Sequence, residues 1–280
     1  MVSRRGRQAL ATYLAAAPFV AFALFPLLWM VMTSLKTNAE LYDLGQNPFL
    51  VRRGVTWEHY RFLFERTAFP LWFRNSALVA VATTAVSVLL AILAGYALAR
   101  LRFRGAEVVS TLVFVVYLVP TTLLFIPLAR VVQVLGLSNS LWALIVTYPA
   151  FVVPFATWML TAYFSTIPRE LEDSALVDGC SRVRALRHVI LPVARPGIIT
   201  ASLFAFTLAW GEFIYALTFI STTNLKTVTA GVVVSLIRGD VFFWGSLMAG
   251  ALSASLPVVL LFSLFLDHYV SGLTAGAIKG

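Results

Sequence analysis

Along this chain the polar positions gather in clusters, and the stretches between them carry no charge. Charge-free runs cover 8–35, 75–99, 108–129, 131–168 and 241–266, and a sixth covers 196–225 if Glu212 is accepted inside it. Each exceeds the minimum of about 18 residues for a membrane-crossing helix, and at about 1.5 Å per residue each reaches across a hydrocarbon core of about 30 Å. Backbone in lipid must satisfy its own hydrogen bonds, so the runs predict helices. A membrane β-barrel would need many shorter alternating segments, and the chain has none. The run 131–168 is too long for one span. Gly136 and the turn-forming Ser138-Asn139-Ser140 near its start place the fourth span at 141–162.

The expectation is an all-α polytopic membrane protein, with 1–280 forming one transmembrane domain. Its parts run as a first span region 8–35, an extracytoplasmic segment 37–73, and spans at 75–99, 108–129 and 141–162. A polar loop 164–195, a fifth span region 196–225, a sixth span 241–266 and a tail 267–280 follow. Arg4, Arg5 and Arg7 before the first run resemble the start of a signal peptide. The run continues through PLLWMVMTSL, however, longer than a signal core of about 7–15 residues, so it reads as a retained helix.

Composition strengthens this picture. The chain is 60% hydrophobic and 12% charged, with mean hydropathy +0.89, against about 25% charged in soluble domains. The net charge of +9 raises nucleic-acid binding, but the bases are spread between apolar runs and form no stripe with interleaved aromatics. Membrane topology and anionic lipid account for the excess. Arg4, Arg5 and Arg7 precede the first span, Arg100, Arg102 and Arg104 follow the second, and Arg169, Arg182, Arg184, Arg187 and Arg195 lie in 164–195. The positive-inside rule puts all three groups, and both termini, in the cytoplasm. The segment 37–73 also has arginines, offset by Glu40, Asp43, Glu58 and Glu65. Its Trp57, Tyr60, Phe62 and Phe64 suit either an amphipathic piece at the outer interface or a packed loop. Cys180 is the only cysteine, and His59, His188 and His268 have no ligand spacing.

The polar loop has an internal design. Pro168 suits a first helical turn, and Glu170, Glu172 and Asp173 lie near the positive end of the helix dipole. Gly179 suits a left-handed helix end. Ser181 can cap a second short helix bearing Arg182, Arg184, Arg187 and His188, which Pro192 ends or bends. Leu171, Ala175 and Asp178 fall on roughly one face of the first helix, where small Ser174 and Ala175 allow close approach. Such a pair of helices either docks on a partner or tucks against its own spans.

The same residues resemble the coupling motif of ABC importer membrane subunits: Glu-Ala-Ala, three residues, Gly, nine residues, Ile, one residue, Leu-Pro. Here the triplet is Asp173, Ser174 and Ala175, the glycine is Gly179, Val189 takes the isoleucine position, and Leu191 and Pro192 finish it. With WGEFIYALTF at 210–219 and DHYVSGLTAGAIKG at 267–280, the chain resembles the maltose-type, MalG-like branch of carbohydrate permeases along nearly its whole length. In WGEFIYALTF, Gly211 departs from the Asn common in relatives. The resemblance implies a non-catalytic permease with six spans, working with a second homologous permease subunit, two ATPase subunits and an extracytoplasmic solute-binding protein. It implies no directly bound cofactor: ATP and magnesium belong to the ATPase, and this chain has no GxxxxGK[ST] loop. Coupling then falls to Glu170, Leu171, Asp173, Ser174, Ala175, Asp178, Gly179, Arg182, Leu191 and Pro192, and the solute is a sugar. A glycerol phosphate importer is the alternative, and a secondary transporter a remoter one.

Within the membrane, Glu212 is the lone acid of its run. It is a hydrogen-bond anchor, part of the translocation path, or an interfacial acid. Trp210 and Tyr215 flank it as pathway or anchor residues; Trp142, Tyr148 and Trp158 are further aromatic candidates for sugar contact. Pro120, Pro127, Pro149 and Pro154 predict kinks. Ala91, Gly95 and Ala99 have small-xxx-small spacing for close helix contact.

Overall fold

The computed structural model describes residues 4–266 except 44, 46 and 102. The predicted tail 267–280, with its DHYVSGLTAGAIKG stretch and His268, lies outside the described residues.

Helices dominate. The elements are α1 (Arg4–Ser34), α2 (Asn38–Leu41), α3 (Glu58–Arg66), α4 (Phe69–Arg100), α5 (Ala106–Leu118), α6 (Thr121–Val134), α7 (Leu141–Thr147) and α8 (Pro149–Thr166). Then come α9 (Arg169–Val177), α10 (Arg182–Ala185), a π-helical turn Leu186–Ile190, α11 (Leu191–Val193), α12 (Arg195–Gly211), α13 (Ile214–Phe219) and a 3-10 turn Thr223–Leu225. Last are α14 (Val228–Leu236), the two-residue strands β1 (Ile237–Arg238) and β2 (Val241–Phe242), and α15 (Trp244–Leu264). The strands form an antiparallel hairpin pairing Ile237 with Phe242. Among the described residues, four stretches are long and apolar enough to cross a membrane: Ala11–Ser34, Phe69–Arg100, Leu141–Thr166 and Trp244–Leu264. Two sharply bent helix pairs raise the number to six if each pair is one span.

Two apolar runs do not fold as single helices. The run 108–129 breaks between α5 and α6, whose axes differ by 97°. Val119 is extended, as residues before proline tend to be, and Pro120 precedes the new helix at φ −58° and ψ 121°. Pro127, in contrast, stays within α6, and Pro154 within α8. The run 196–225 stops being helical at Glu212, which is extended at φ −65° and ψ 135°. The fourth span, placed at 141–162, runs on as helix to Thr166. Before it, Gly136 and Asn139 both adopt positive φ. Asn139 Oδ1 accepts the Ser221 and Thr222 amides at 3.1 and 2.9 Å.

The chain separates into two compact units, residues 1–69 with 232–255, and 70–231 with 256–280. In the first, α3 turns His59 and Leu63 inward, while Trp57 and Phe64 stay exposed. The segment thus contains a short helix packed through one face. His59 Nε2 donates to the Lys36 carbonyl at 2.8 Å, which leaves Nδ1 to accept from Ser246 Oγ at 3.3 Å. Phe62 stacks on Phe243. In the second unit, Ala91 and Tyr96 of α4, Leu160 and Phe164 of α8, Ile190 and Ala194 form one buried core with Ala201 of α12. The small-residue spacing of α4 serves this packing: a Cβ on Gly95 would sit 3.1 Å from the Thr161 amide nitrogen.

Candidate functional site

The polar loop of the second unit folds as two short helices around a tight turn. Pro168 is extended and precedes α9 instead of lying in its first turn. Glu170 and Glu172 occupy that turn, favourably placed for the helix dipole. At the other end Gly179 has φ +85°. The Cys180 amide donates to the Ala175 carbonyl at 2.9 Å and the Gly179 amide to Leu176 at 3.1 Å. This pair of bonds is the Schellman pattern, which calls for a left-handed residue where Gly179 stands. Ser181 Oγ then accepts the Arg184 amide, capping α10.

Pro192 neither ends nor bends the second helix, which runs from Arg182 to Val193. The π-helical turn just before it already replaces regular pairing with a Leu191 amide to Leu186 carbonyl bond. The 80° bend comes later, between Val193 and Arg195.

The predicted face of Leu171, Ala175 and Asp178 is divided. Ala175 points inward with Glu172, while Leu171 and Asp178 are exposed along with Glu170, Asp173, Ser174, Gly179 and Arg182. Val177 and Val183 also face outward, 87% and 76% exposed. Leu191 is half-buried and Pro192 exposed. The exposed surface therefore mixes acids, Arg182, small residues and the aliphatic side chains of Leu171, Val177 and Val183.

Glu172, read from sequence only as a dipole partner, is 5% exposed. The Tyr96 hydroxyl donates to its Oε1, and Arg100 Nε stands 3.9 Å from its Oε2. Arg100, also buried, donates from Nη2 to the Ile167 carbonyl at 2.6 Å. Arg169 Nη2 lies 3.4 Å from the Ala99 carbonyl. A polar cavity of about 390 Å³ adjoins the cluster, lined by Arg100, Arg169, Glu172, Asp173, Leu176 and Arg182. The available signal was spacing: Glu172 precedes the inward Ala175 by three residues, which puts both on one helix face.

Glu212 stands at the break between α12 and α13. Its Oε2 accepts from the Tyr148 hydroxyl at 2.7 Å and the Ala216 amide at 3.0 Å, and its Oε1 from the Tyr215 amide at 2.8 Å. Thr229 Oγ1 donates to its carbonyl at 2.7 Å. Tyr215 and Trp210 are both buried. Tyr215 donates from its hydroxyl to the Thr121 carbonyl at 2.8 Å, and Trp210 stacks on Phe206 and meets Phe73 edge-on. Of the further aromatic candidates, Tyr148 is buried, while Trp142 and Trp158 are exposed.

Long apolar helices joined through an exposed polar helix pair make this a polytopic membrane protein. Residues 87–274 match the family described as binding-protein-dependent transport system inner membrane component, and the chain belongs to that family. The sulfoquinovosyl glycerol transport system permease protein SmoH of Agrobacterium fabrum is 38% identical, over 96% of this chain and 93% of its own. The trehalose/maltose transport system permease protein MalG of Thermococcus litoralis is 33% identical, over 92% of each chain. A crystal structure of a bacterial ABC transporter involved in the import of the acidic polysaccharide alginate has the same fold. Its TM-score is 0.77, with 17% identity, over 96% of this chain and 99% of that one.

Proposed function

We propose that this chain is a permease subunit of an ATP-driven importer for a sugar or glycoside, of the maltose-type, MalG-like kind. The observation that carries this reading is the helix pair 169–193: its Gly179 turn falls at the motif's glycine, and its outer face is left open. Glu170, Leu171, Asp173, Ser174, Asp178, Gly179, Arg182 and Pro192 meet a cleft of the ATPase, while buried Ala175 and half-buried Leu191 hold the pair's shape. ATP and magnesium act in two ATPase subunits. A second permease subunit completes the pathway, and a solute-binding protein delivers the saccharide from outside. Relatives whose names specify sulfoquinovosyl glycerol and trehalose/maltose favour a glycoside as cargo over glycerol phosphate.

In this arrangement the chain crosses a bacterial cytoplasmic membrane six times, each bent pair of helices serving as one span. Both termini and residues 164–195 face the cytoplasm, and 37–73 face outward. Glu212 acts as an anchor: its carboxylate accepts three donors at a helix break.

Gly179→Asp tests the coupling role. A Cβ at Gly179 meets nothing within 4 Å, so the cost within the chain is only that of a positive φ, about 1–2 kcal/mol, and less for Asp, which tolerates it. Membrane insertion is expected to survive. In a reconstituted complex with the neighbouring permease, ATPase and binding protein, the variant should lose the ATPase or hydrolyse ATP without uptake. A panel of sugars and glycerol phosphates, run together, identifies the cargo class. Normal ATPase retention with normal coupled uptake would remove the basis of the proposal.

A further inference from the structure

The exposed face of α9 explains contact with a partner but not how a push on α9 reaches the spans. Little apolar surface holds this helix: among its residues only Glu172 and Ala175 are buried. One of those two is an acid, and burying charge is costly unless it is paired. An apolar side chain at 172 would hold α9 with less penalty but without direction. A hydrogen-bonded charge fixes register.

We infer that Glu172, Tyr96 and Arg100 form a strut that fixes α9 to the last turns of α4 and transmits displacement of α9 to that span. The inference rests on the coupling role proposed above for the 169–193 pair.

Three links meet within Tyr96–Arg100. Tyr96 donates to one oxygen of Glu172, and Arg100 faces the other. Arg169, at the start of α9, reaches the Ala99 carbonyl in the same turn of α4. A helix held at one point can pivot, whereas links at Arg169 and Glu172 oppose both sliding and rotation. Arg100 also binds the Ile167 carbonyl, so the same guanidinium ties down the connection that enters α9. Leu171, Ser174, Val177 and Asp178 face away from the strut, so a load applied to them acts across it. The link between Arg100 Nε and Glu172 is a separated ion pair beside a polar cavity, which makes the Tyr96 bond the strut's direct contact. Glu172, Tyr96 and Arg100 are positioning residues; none is assigned contact with ATP or solute.

The test uses the reconstituted importer with Tyr96→Phe, Glu172→Gln and the double variant, and reads ATPase retention and ATP hydrolysed per solute imported. Retention is expected to stay normal. The ratio should rise in each single variant, and in the double variant by on the order of tenfold, the usual scale of a coupling between sites. The two effects should be non-additive, because the residues share one link. A merely structural role would lower retention, hydrolysis and uptake together and leave the ratio unchanged; that result, or wild-type ratios in all three variants, overturns the strut. Gly179→Asp, measured alongside, separates the two ideas. Wild-type behaviour there faults the coupling role itself, while a defect there with normal strut variants faults only the strut.

Discussion

Replacing Glu212 with Leu removes an acceptor from three donors at once. The Tyr148 hydroxyl, 2.7 Å away, belongs to a fully buried ring, and the Tyr215 and Ala216 amides open the short helix α13 at 2.8 and 3.0 Å. A buried donor left unmet costs about 1–3 kcal/mol. Glu212 itself is only half-buried, so water can reach part of the site and the lower half of that range applies to the two amides. The sum is about 3–7 kcal/mol, a large share of the 5–15 kcal/mol that typically separates folded from unfolded domains. Glu212→Gln keeps one carbonyl oxygen and loses about one charge-assisted bond, for about 1–2 kcal/mol. Tyr148→Phe should cost about 1 kcal/mol and add little on top of Glu212→Leu. Thermal unfolding of the purified chain in detergent, with subunit yield in membranes, should therefore rank wild type above Tyr148→Phe and Gln, with Leu far below. Leu and Gln variants of equal stability would refute the anchor, and a transport defect with normal stability would move Glu212 into the pathway.

Gly231→Ala should destabilise by about 1–3 kcal/mol, because its Cβ would fall 2.3 Å from the ring of buried Trp72, which is held by a bond to the Thr223 carbonyl. Gly211→Ala, with nothing within 4 Å, is the neutral control in the same melt. The Arg52 amide, followed by the Arg53 amide and the charges of Lys36 and Arg53, holds the Glu40 carboxyl below its ordinary range despite the opposing effect of burial. A depressed carboxylate contributes stability above its unfolded value of about 4.3 and loses it as pH falls through the folded value. Hydrogen-exchange protection of the Arg52 and Arg53 amides, corrected for intrinsic rates, should accordingly drop as pH falls below the ordinary carboxylate range, and Glu40→Gln should flatten that drop. Arg184→Cys should react with an impermeant thiol reagent in right-side-out vesicles only after permeabilisation; labelling of sealed vesicles would invert the proposed topology.

The legible parts were those set by local chemistry. Charge-free length marked the helical segments, and a glycine followed by Cys-Ser marked a helix end and the next cap, which appear as the Schellman turn at Gly179 and the Ser181 cap. Residues whose role depends on a distant partner were harder to read. Glu172 looks like any acid in a first helical turn until Tyr96, 76 positions earlier, is folded against it. The four prolines expected to kink helices take different places: Pro120 accompanies a break and Pro149 opens α8, whereas Pro127 and Pro154 stay inside helices. Each interior proline removes one helical hydrogen bond, and the local sequence alone does not say which of these losses a helix survives.

The helix breaks at Pro120 and Glu212 are connected. Interrupted backbone at membrane depth is tolerated only where protein groups satisfy it. At Glu212 the side chain turns back onto the amides that begin α13, and Thr229 at the start of α14 takes up its carbonyl. Tyr215, in the first turn of the helix so capped, reaches the carbonyl of Thr121, the residue that starts α6 after the Pro120 break. Tyr148, on the same carboxylate, sits where α7 passes into α8. The carboxylate therefore joins the ends of helices that begin at 149 and 214, the backbone carbonyl of the same residue takes in the one at 228, and Tyr215 extends the link to 121. An apolar residue at 212 would leave the Tyr148 hydroxyl and the amides that open α13 without this acceptor. The acid costs little at this position because it replaces a stretch of helix, with its own side chain supplying the acceptors that the lost turn would have provided.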